Sequence, residues 1–364
     1  MDENYNDKKN KAYTVKQRTL LKELPSCCGT FLRGIESQTS VLTRYGYAVD
    51  LKTFFNFLVA EIDDFKGKKI VELTLADMER IKAYDIELFL EHLTYYNKEE
   101  REIVNHERAK ARKLSTLRSF FKFFFKREMI SNNVAALVDA PKLYERSIVR
   151  LEANEIAELL DVVEAGAGLS PAQKKYHKAT KTRDAAILTL FLGTGIRISE
   201  LVGIDMSDLD FVNNTFLITR KGGNQDMLVF GAEVRAALLN YLLERETVSP
   251  APGHEKALFL SIQKKRLTVR AIENLVKKYA AIATPLKKIS PHKLRSTYGT
   301  MLYQETGDIY LVADVLGHKD VNTTRKHYAA ISEDRRKIAA QVIKLRDDDN
   351  HPPITPNSEK TEGD

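Results

Sequence analysis

At 364 residues the chain is longer than one ordinary domain, and 43% hydrophobic with 29% charged residues is a normal soluble globular composition. A formal net charge of +7 and a pI near 9.0 favour a polyanionic partner without requiring one. The only cysteines, the adjacent Cys27 and Cys28, exclude a disulfide framework and a zinc site built from separated ligand pairs, which fits a reduced, cytoplasmic compartment. No apolar run approaches the roughly 18 residues of a membrane span, and Met1 to Lys11 is polar and charged, so neither a membrane nor a signal segment is expected.

Residues 1–13 lack apolar periodicity and are expected to be disordered. A first domain over 14–140 reads as all helical. Tyr47, Leu51, Phe54, Phe55 and Leu58 mark one face of a helix of about 20 residues starting near Ser40. Further helices run from Tyr84 to Tyr96 and from Glu107 to Lys126. The last has an apolar line through Leu114, Leu117, Phe121 and Phe124, with Arg118, Lys122 and Lys126 at i, i+4, i+8 on another face. Eight basic and no acidic residues lie between Arg108 and Arg127. Such a run reads either as a solvated face or as a surface tracking phosphates, and the missing acids favour the second.

The periodicity breaks around Ala140-Pro141-Lys142, so residues 141–150 are read as a linker and 151–345 as a second domain. Helices are expected at 154–163 and 182–192, with a loop through Gly166, Gly168 and Pro171 between them. Asp210 to Val212, Thr215 to Arg220 and Met227 to Phe230 are β-prone runs separated by Asn213-Asn214 and Lys221-Gly222-Gly223-Asn224, the pattern of a three-stranded antiparallel meander. Helical patterns return at 232–245, 268–281, 291–305, 309–316 and 323–345. The fold class is therefore mainly α in two domains, the second an α+β domain with a small sheet. The acidic tail 346–364, with six acids, two bases and several prolines, is expected to be disordered.

Three segments concentrate chemistry. In Gly193-Thr194-Gly195-Ile196-Arg197-Ile198-Ser199-Glu200, one helix ends at a glycine turn and another opens, with Arg197 and Glu200 at i, i+3. Glu200 is placed to support Arg197, although alone the segment reads sooner as an exposed helix-start arginine with a local ion pair. In Ser290-Pro291-His292-Lys293-Leu294-Arg295, Ser290 is a good N-cap and Pro291 a good first helical residue, so His292 and Arg295 share the first turn as an acid–base group and an oxygen clamp. Ile309 to Leu316 then ends at Gly317, a natural C′ residue, followed by His318 and a segment that Asn322 can cap and that carries Tyr328, one of fifteen tyrosines.

Arg197, His292-x-x-Arg295, Leu316-Gly317-His318 and Tyr328, in that order, resemble the catalytic signature of the tyrosine recombinase (phage integrase) family. Ser115 to Phe121 and Asn133-Val134-Ala135 before Pro141-Lys142 are similar to segments of its bacterial Xer-type members. The resemblance implies a helical core-binding domain joined to a catalytic domain, the two closing on duplex DNA. It implies that Arg197 and Arg295 clamp the scissile phosphate and that Lys221 protonates the leaving 5′ oxygen. His292 and His318 would assist proton transfer and bind phosphate oxygens, and Tyr328 would attack to give a 3′-phosphotyrosine. Tyr328 lies ten residues after His318, where many relatives have nine, and the hairpin reads Arg220-Lys221-Gly222-Gly223, so Arg220 and Lys221 compete for the acid position. The segment Glu333–Leu345 would dock on a neighbouring subunit.

The implied partners are a double-stranded DNA site, read in part by Arg118, Lys122 and Lys126, and further copies of the chain, as a tetramer on two sites. Transesterification conserves bond energy, so no cofactor, metal or ATP is expected. The rivals are a type IB topoisomerase using the same chemistry for relaxation, and a non-catalytic DNA-binding regulator, which would be expected to lack some of these positions. A metal-dependent nuclease would need clustered carboxylates, for which no spacing is found.

Overall fold

The computed structural model describes residues 5–98, 101–144, 149–220, 223–318 and 320–322. The chain divides into two compact units, Met1–Arg146 and Ser147–Asp364. Among the described residues no helix is long and apolar enough to cross a membrane.

The first unit consists of helices α1 (Tyr5–Leu21), α2 (Ser26–Gly34), α3 (Val41–Glu61), α4 (Leu75–Arg80), α5 (Ala83–His92) and α6 (Glu107–Phe125), with strands β1 (Tyr95–Lys98) and β2 (Arg101–Val104). Helix α3 begins where the Ser40 hydroxyl accepts the Thr43 amide at 3.2 Å, and it buries Leu51, Phe54, Phe55 and Leu58. Leu114, Leu117, Phe120, Phe121 and Phe124 of α6 complete the same core. Its rings meet edge-on: Phe31 lies 5.4 Å from Phe120, Phe54 lies 5.1 Å from Phe89, and Phe120 lies 5.0 Å from Phe124. Each such phenylalanine contributes about 1.5–3 kcal/mol of burial, so the unit rests on this aromatic centre.

Two elements depart from the sequence expectation. Helix α1 covers much of the stretch expected to be disordered; it buries no residue fully, but Leu20 and Leu21 pack on the core and Tyr13 sits 5.5 Å from Tyr45. The unit is also not all helical, because β1 and β2 pair antiparallel from Tyr95↔Val104 to Lys98↔Arg101. Tyr96 stacks 5.2 Å from His92, which anchors this hairpin to α5.

The second unit comprises α7 (Ala153–Ala165), α8 (Pro171–His177), α9 (Lys181–Thr194), α10 (Ile198–Gly203), strands β3 (Leu209–Asp210), β4 (Thr215–Thr219) and β5 (Gln225–Val229), then α11 (Ala232–Glu246), α12 (Val269–Ala283), α13 (Pro291–Thr306) and α14 (Ile309–Val315). Helix α9 buries Ala186, Ile187, Leu188, Leu190, Phe191 and Leu192, an apolar pattern that runs around the helix, and accordingly packs against α7, α11 and α13. Its buried Asp184 accepts hydrogen bonds from Tyr279 at 2.9 Å and Lys278 at 3.2 Å, which ties it to α12. Burial, followed by the Asp184 charge, pushes the Tyr279 phenol well above its ordinary range. The three strands form an antiparallel sheet in the order β3-β4-β5, with Leu209 opposite Phe216 and Phe216 opposite Leu228. Helix α8 lies in what the sequence suggested was loop: Ser170 and Gln173 form a capping box around Pro171 at the first turn. The segments 323–345 and 346–364 lie outside the described residues.

Candidate active site

The site starts at the break between α9 and α10. Gly195 takes the left-handed conformation at φ +61°, and a Cβ there would stand 2.4 Å from the Tyr298 ring. Arg197 follows as the N-cap of α10, and Glu200 reaches back to it. Glu200 Oε2 accepts the Arg197 amide at 2.9 Å and Oε1 accepts Arg197 Nη1 at 2.8 Å. The Glu200 side chain is 1% exposed and that of Arg197 32%, so the carboxylate is an interior anchor for a cation that still reaches the surface.

Helix α13 opens with Pro291 at its first turn. Ser290 occupies the N-cap position, but its backbone carbonyl, accepting from Lys293 and Leu294, makes the cap; the expected side-chain bond is absent. His292 is exposed and Arg295, one turn on, is buried. The Arg295 guanidinium donates to the carbonyls of Gly195 and Leu316.

Helix α14 explains why Leu316 is available. A helix leaves its last four carbonyls without partners. Here the His318 amide bonds to Ala313 O at 2.8 Å and the Gly317 amide to Asp314 O at 2.7 Å, the paired bonds of a Schellman turn, with Gly317 at φ +59°. The remaining carbonyls accept arginines: Arg220 reaches Val315 and Leu316 at 3.4 Å each, Arg295 reaches Leu316, and Arg197 Nη2 reaches Gly317 O at 3.0 Å. Three guanidinium groups thus gather at the negative end of a helix dipole, beside His318.

Arg197, Arg295, Glu200 and the His318 turn are therefore brought together, with His292 on the turn of α13 that leads to Arg295. Lys221 and Tyr328 lie outside the described residues. The helix that Asn322 was expected to cap lies outside the described residues; the Asn322 amide donates to Asp320 Oδ1 at 2.9 Å. Arg220, considered in the sequence only as a rival acid, is a member of the cluster. The one signal for it was Asp226 across the hairpin.

The basic face of α6 is less uniform than its composition suggests. Arg118 donates to Val138 O at 2.6 Å and Ala135 O at 3.3 Å, holding down the end of its unit. Arg112 pairs with the buried Asp50, with Nη2 to Oδ1 at 2.7 Å, and Lys113 donates to Asn105 at 2.9 Å. Lys122 and Lys126 are exposed.

The family model described as the phage integrase family matches residues 149–335, a stretch containing every candidate catalytic position. The chain belongs to the phage integrase family, the tyrosine recombinases. A tyrosine recombinase XerC of Caldanaerobacter subterraneus subsp. tengcongensis is 32% identical to this family member over 287 residues, which are 77% of this chain and 75% of that one. A XerC of Bacillus pumilus is 31% identical over 304 residues, 82% of this chain and 89% of that one. Among solved structures, the XerH site-specific recombinase bound to a palindromic difH substrate matches with TM-score 0.61 at 20% identity, covering 83% of this chain and 80% of that one. The Tn1549 transposon integrase in complex with transposon right end DNA also matches with TM-score 0.61, at 19% identity, covering 87% of this chain and 99% of that one. At these identities the two structures establish the recombinase fold.

Proposed function

We propose that this chain is a site-specific recombinase that cleaves and rejoins duplex DNA through a 3′-phosphotyrosine on Tyr328. The observation that carries the reading is the convergence of Arg197, Arg295 and the His318 turn at the end of α14, inside the family-matched stretch. Guanidinium forks held in place beforehand suit the non-bridging oxygens of a phosphate that gains charge as it becomes five-coordinate. Tyr328 would attack phosphorus while Lys221 donates a proton to the departing 5′ oxygen, with His292 and His318 assisting proton transfer. The phosphotyrosine keeps the bond energy, and attack by a second strand's 5′ hydroxyl restores the diester.

The partner is a double-stranded recombination site, and exchange requires several copies of the chain, arranged as a tetramer on two sites. DNA complexes of XerH and of the Tn1549 integrase support the DNA partner. The named relatives are recombinases and integrases, which favours strand exchange over supercoil relaxation. Chromosome-dimer resolution and mobile-element insertion share this reaction, and the position of the gene relative to its attachment site discriminates them.

The test uses a nicked suicide duplex selected for binding to the full chain from a random library. The wild type should trap a protease-sensitive covalent adduct and Tyr328→Phe should bind but form none. An adduct that survives the substitution overturns the assignment.

A further inference from the structure

Arg220 directly follows β4, at the entry to the hairpin tip, yet its side chain is 11% exposed and turned inward. Its Nε and Nη2 both lie 2.8 Å from Asp226 Oδ2 on the other arm of the hairpin. Nη1 lies 3.7 Å from Glu200 Oε1, the oxygen that also holds Arg197. The remaining donors meet Val315 O and Leu316 O, two carbonyls that the Schellman turn leaves open. Gly317 lies against the same group: a Cβ there would be 2.6 Å from Arg220 Cζ.

We propose that Arg220 is a positioning residue that locks the hairpin to the Leu316-Gly317-His318 turn, leaving the acid role to Lys221. This rests on the recombinase reading above. One planar cation joins three parts of the site: Asp226 fixes it to the sheet, Glu200 links it to Arg197, and the α14 carbonyls link it to His318. A proton donor to a leaving group must reach solvent-facing substrate and titrate. A guanidinium keeps its proton at any ordinary pH, and this one is engaged on every side. Lys221 is the next residue, so the orientation of Arg220 also sets where the hairpin tip begins.

The consequence separates the two cations chemically. A 5′-bridging phosphorothiolate places sulfur at the leaving position, and a thiolate departs without a proton, so it rescues the loss of a general acid and leaves a positioning defect uncorrected. On the selected nicked duplex, Lys221→Ala should slow adduct formation by about a hundredfold or more and recover on the sulfur substrate. Arg220→Ala should slow it by about tenfold or more and show the wild-type ratio between the oxygen and sulfur substrates. Arg220→Lys, which keeps charge but loses the fork, should fall between. In a His318→Ala background the further loss from Arg220→Ala should shrink, because the two act through one turn.

Sulfur rescue of Arg220→Ala with none for Lys221→Ala overturns the proposal. So does full additivity with His318→Ala, which marks a merely structural residue. If Arg220→Ala does not fold, Asp226→Asn, which removes the anchor and keeps the arginine, gives the same two comparisons at smaller amplitude. A wild-type chain that forms no adduct on either substrate sinks the recombinase reading itself and the inference with it.

Discussion

Glu200→Gln should destabilise the chain and loosen Arg197 together. The carboxylate accepts the Arg197 amide at 2.9 Å and its Nη1 at 2.8 Å while being 1% exposed. A glutamine in the same place offers one carbonyl oxygen, so its amide group must face either the backbone N–H or the guanidinium, donor against donor. Losing a charge-assisted bond costs about 1.5–3 kcal/mol. Part of the capping contribution, typically about 1 kcal/mol, goes with it. Arg197 is a third exposed, and water screens its side of the pair, so a net loss of about 2–3 kcal/mol is expected. In a unit of this size that lowers Tm by about 4–12 °C. Thermal unfolding of the full chain measures it, with Glu72→Gln as control, since the Lys69–Glu72 pair spans 3.6 Å with both side chains mostly exposed. The adduct rate on the suicide duplex should fall by about tenfold or more, because a misplaced phosphate clamp costs rate directly. A Tm change no larger than that of the control, with an unaltered adduct rate, refutes the anchoring role.

The two readings of the α6 face separate by salt dependence. Lys122→Gln and Lys126→Gln should each reduce the slope of log affinity against log salt by about one, and an unchanged slope removes them from the DNA surface. Arg118→Ala should leave that slope alone and cost about 1.5–3 kcal/mol of stability through its lost bonds to the Ala135 and Val138 carbonyls. Gly195→Ala should be destabilising and lower the adduct rate, since the residue sits at φ +61° and a Cβ would strike Tyr298; wild-type stability in a melt contradicts this. Burial raises the Asp77 and Glu155 carboxyls, but hydrogen bonds from Lys68 and Thr74, and from Lys287 and the Glu152 amide, outweigh it and hold both below their ordinary range. Their stabilisation is therefore complete above the ordinary carboxylate range and is lost as pH falls through the lowered folded values, below about pH 4. Asp77→Asn should flatten that acid limb of unfolding; an identical limb in the variant refutes it.

Where the sequence was legible, a local rule and the tertiary fold agreed. Ser40 caps a helix whose apolar face is the core of its unit, and Asn213-Asn214 separates the first two strands of the sheet as Gly223, at φ +91°, lies between the second and third. Helix α8 was hidden by Ser170-Pro171, which reads as a loop although the same pair, with Gln173, starts a helix. Helix α1 has no continuous apolar stripe to detect, although it packs along α3, lays Leu20 and Leu21 on the core and sets Tyr13 against Tyr45. Arg118 was illegible for another reason. Its acceptors are backbone carbonyls 17 and 20 residues away, and no composition or period records where a carbonyl points. Gly317 was legible as a helix stop, but its second role, leaving room for Arg220, depends on a strand ninety-odd residues earlier.

The same distinction explains how the site keeps its charge. Guanidinium groups gathered in one place repel each other, and the simplest remedy, one carboxylate apiece, would cancel the attraction for phosphate. Here Arg197 pairs with Glu200 and Arg220 pairs with Asp226 while also lying 3.7 Å from Glu200, whereas Arg295, the most buried of the three, donates to the neutral carbonyls of Gly195 and Leu316. A carbonyl orients a guanidinium and carries no net charge, so the cation remains cationic. The end of α14 supplies such acceptors because its turn satisfies Ala313 and Asp314 internally and leaves Val315, Leu316 and Gly317 to the arginines. On the proposed recombinase reading, the clamp is oriented before any phosphate arrives, which is the condition under which such groups lower a barrier most effectively.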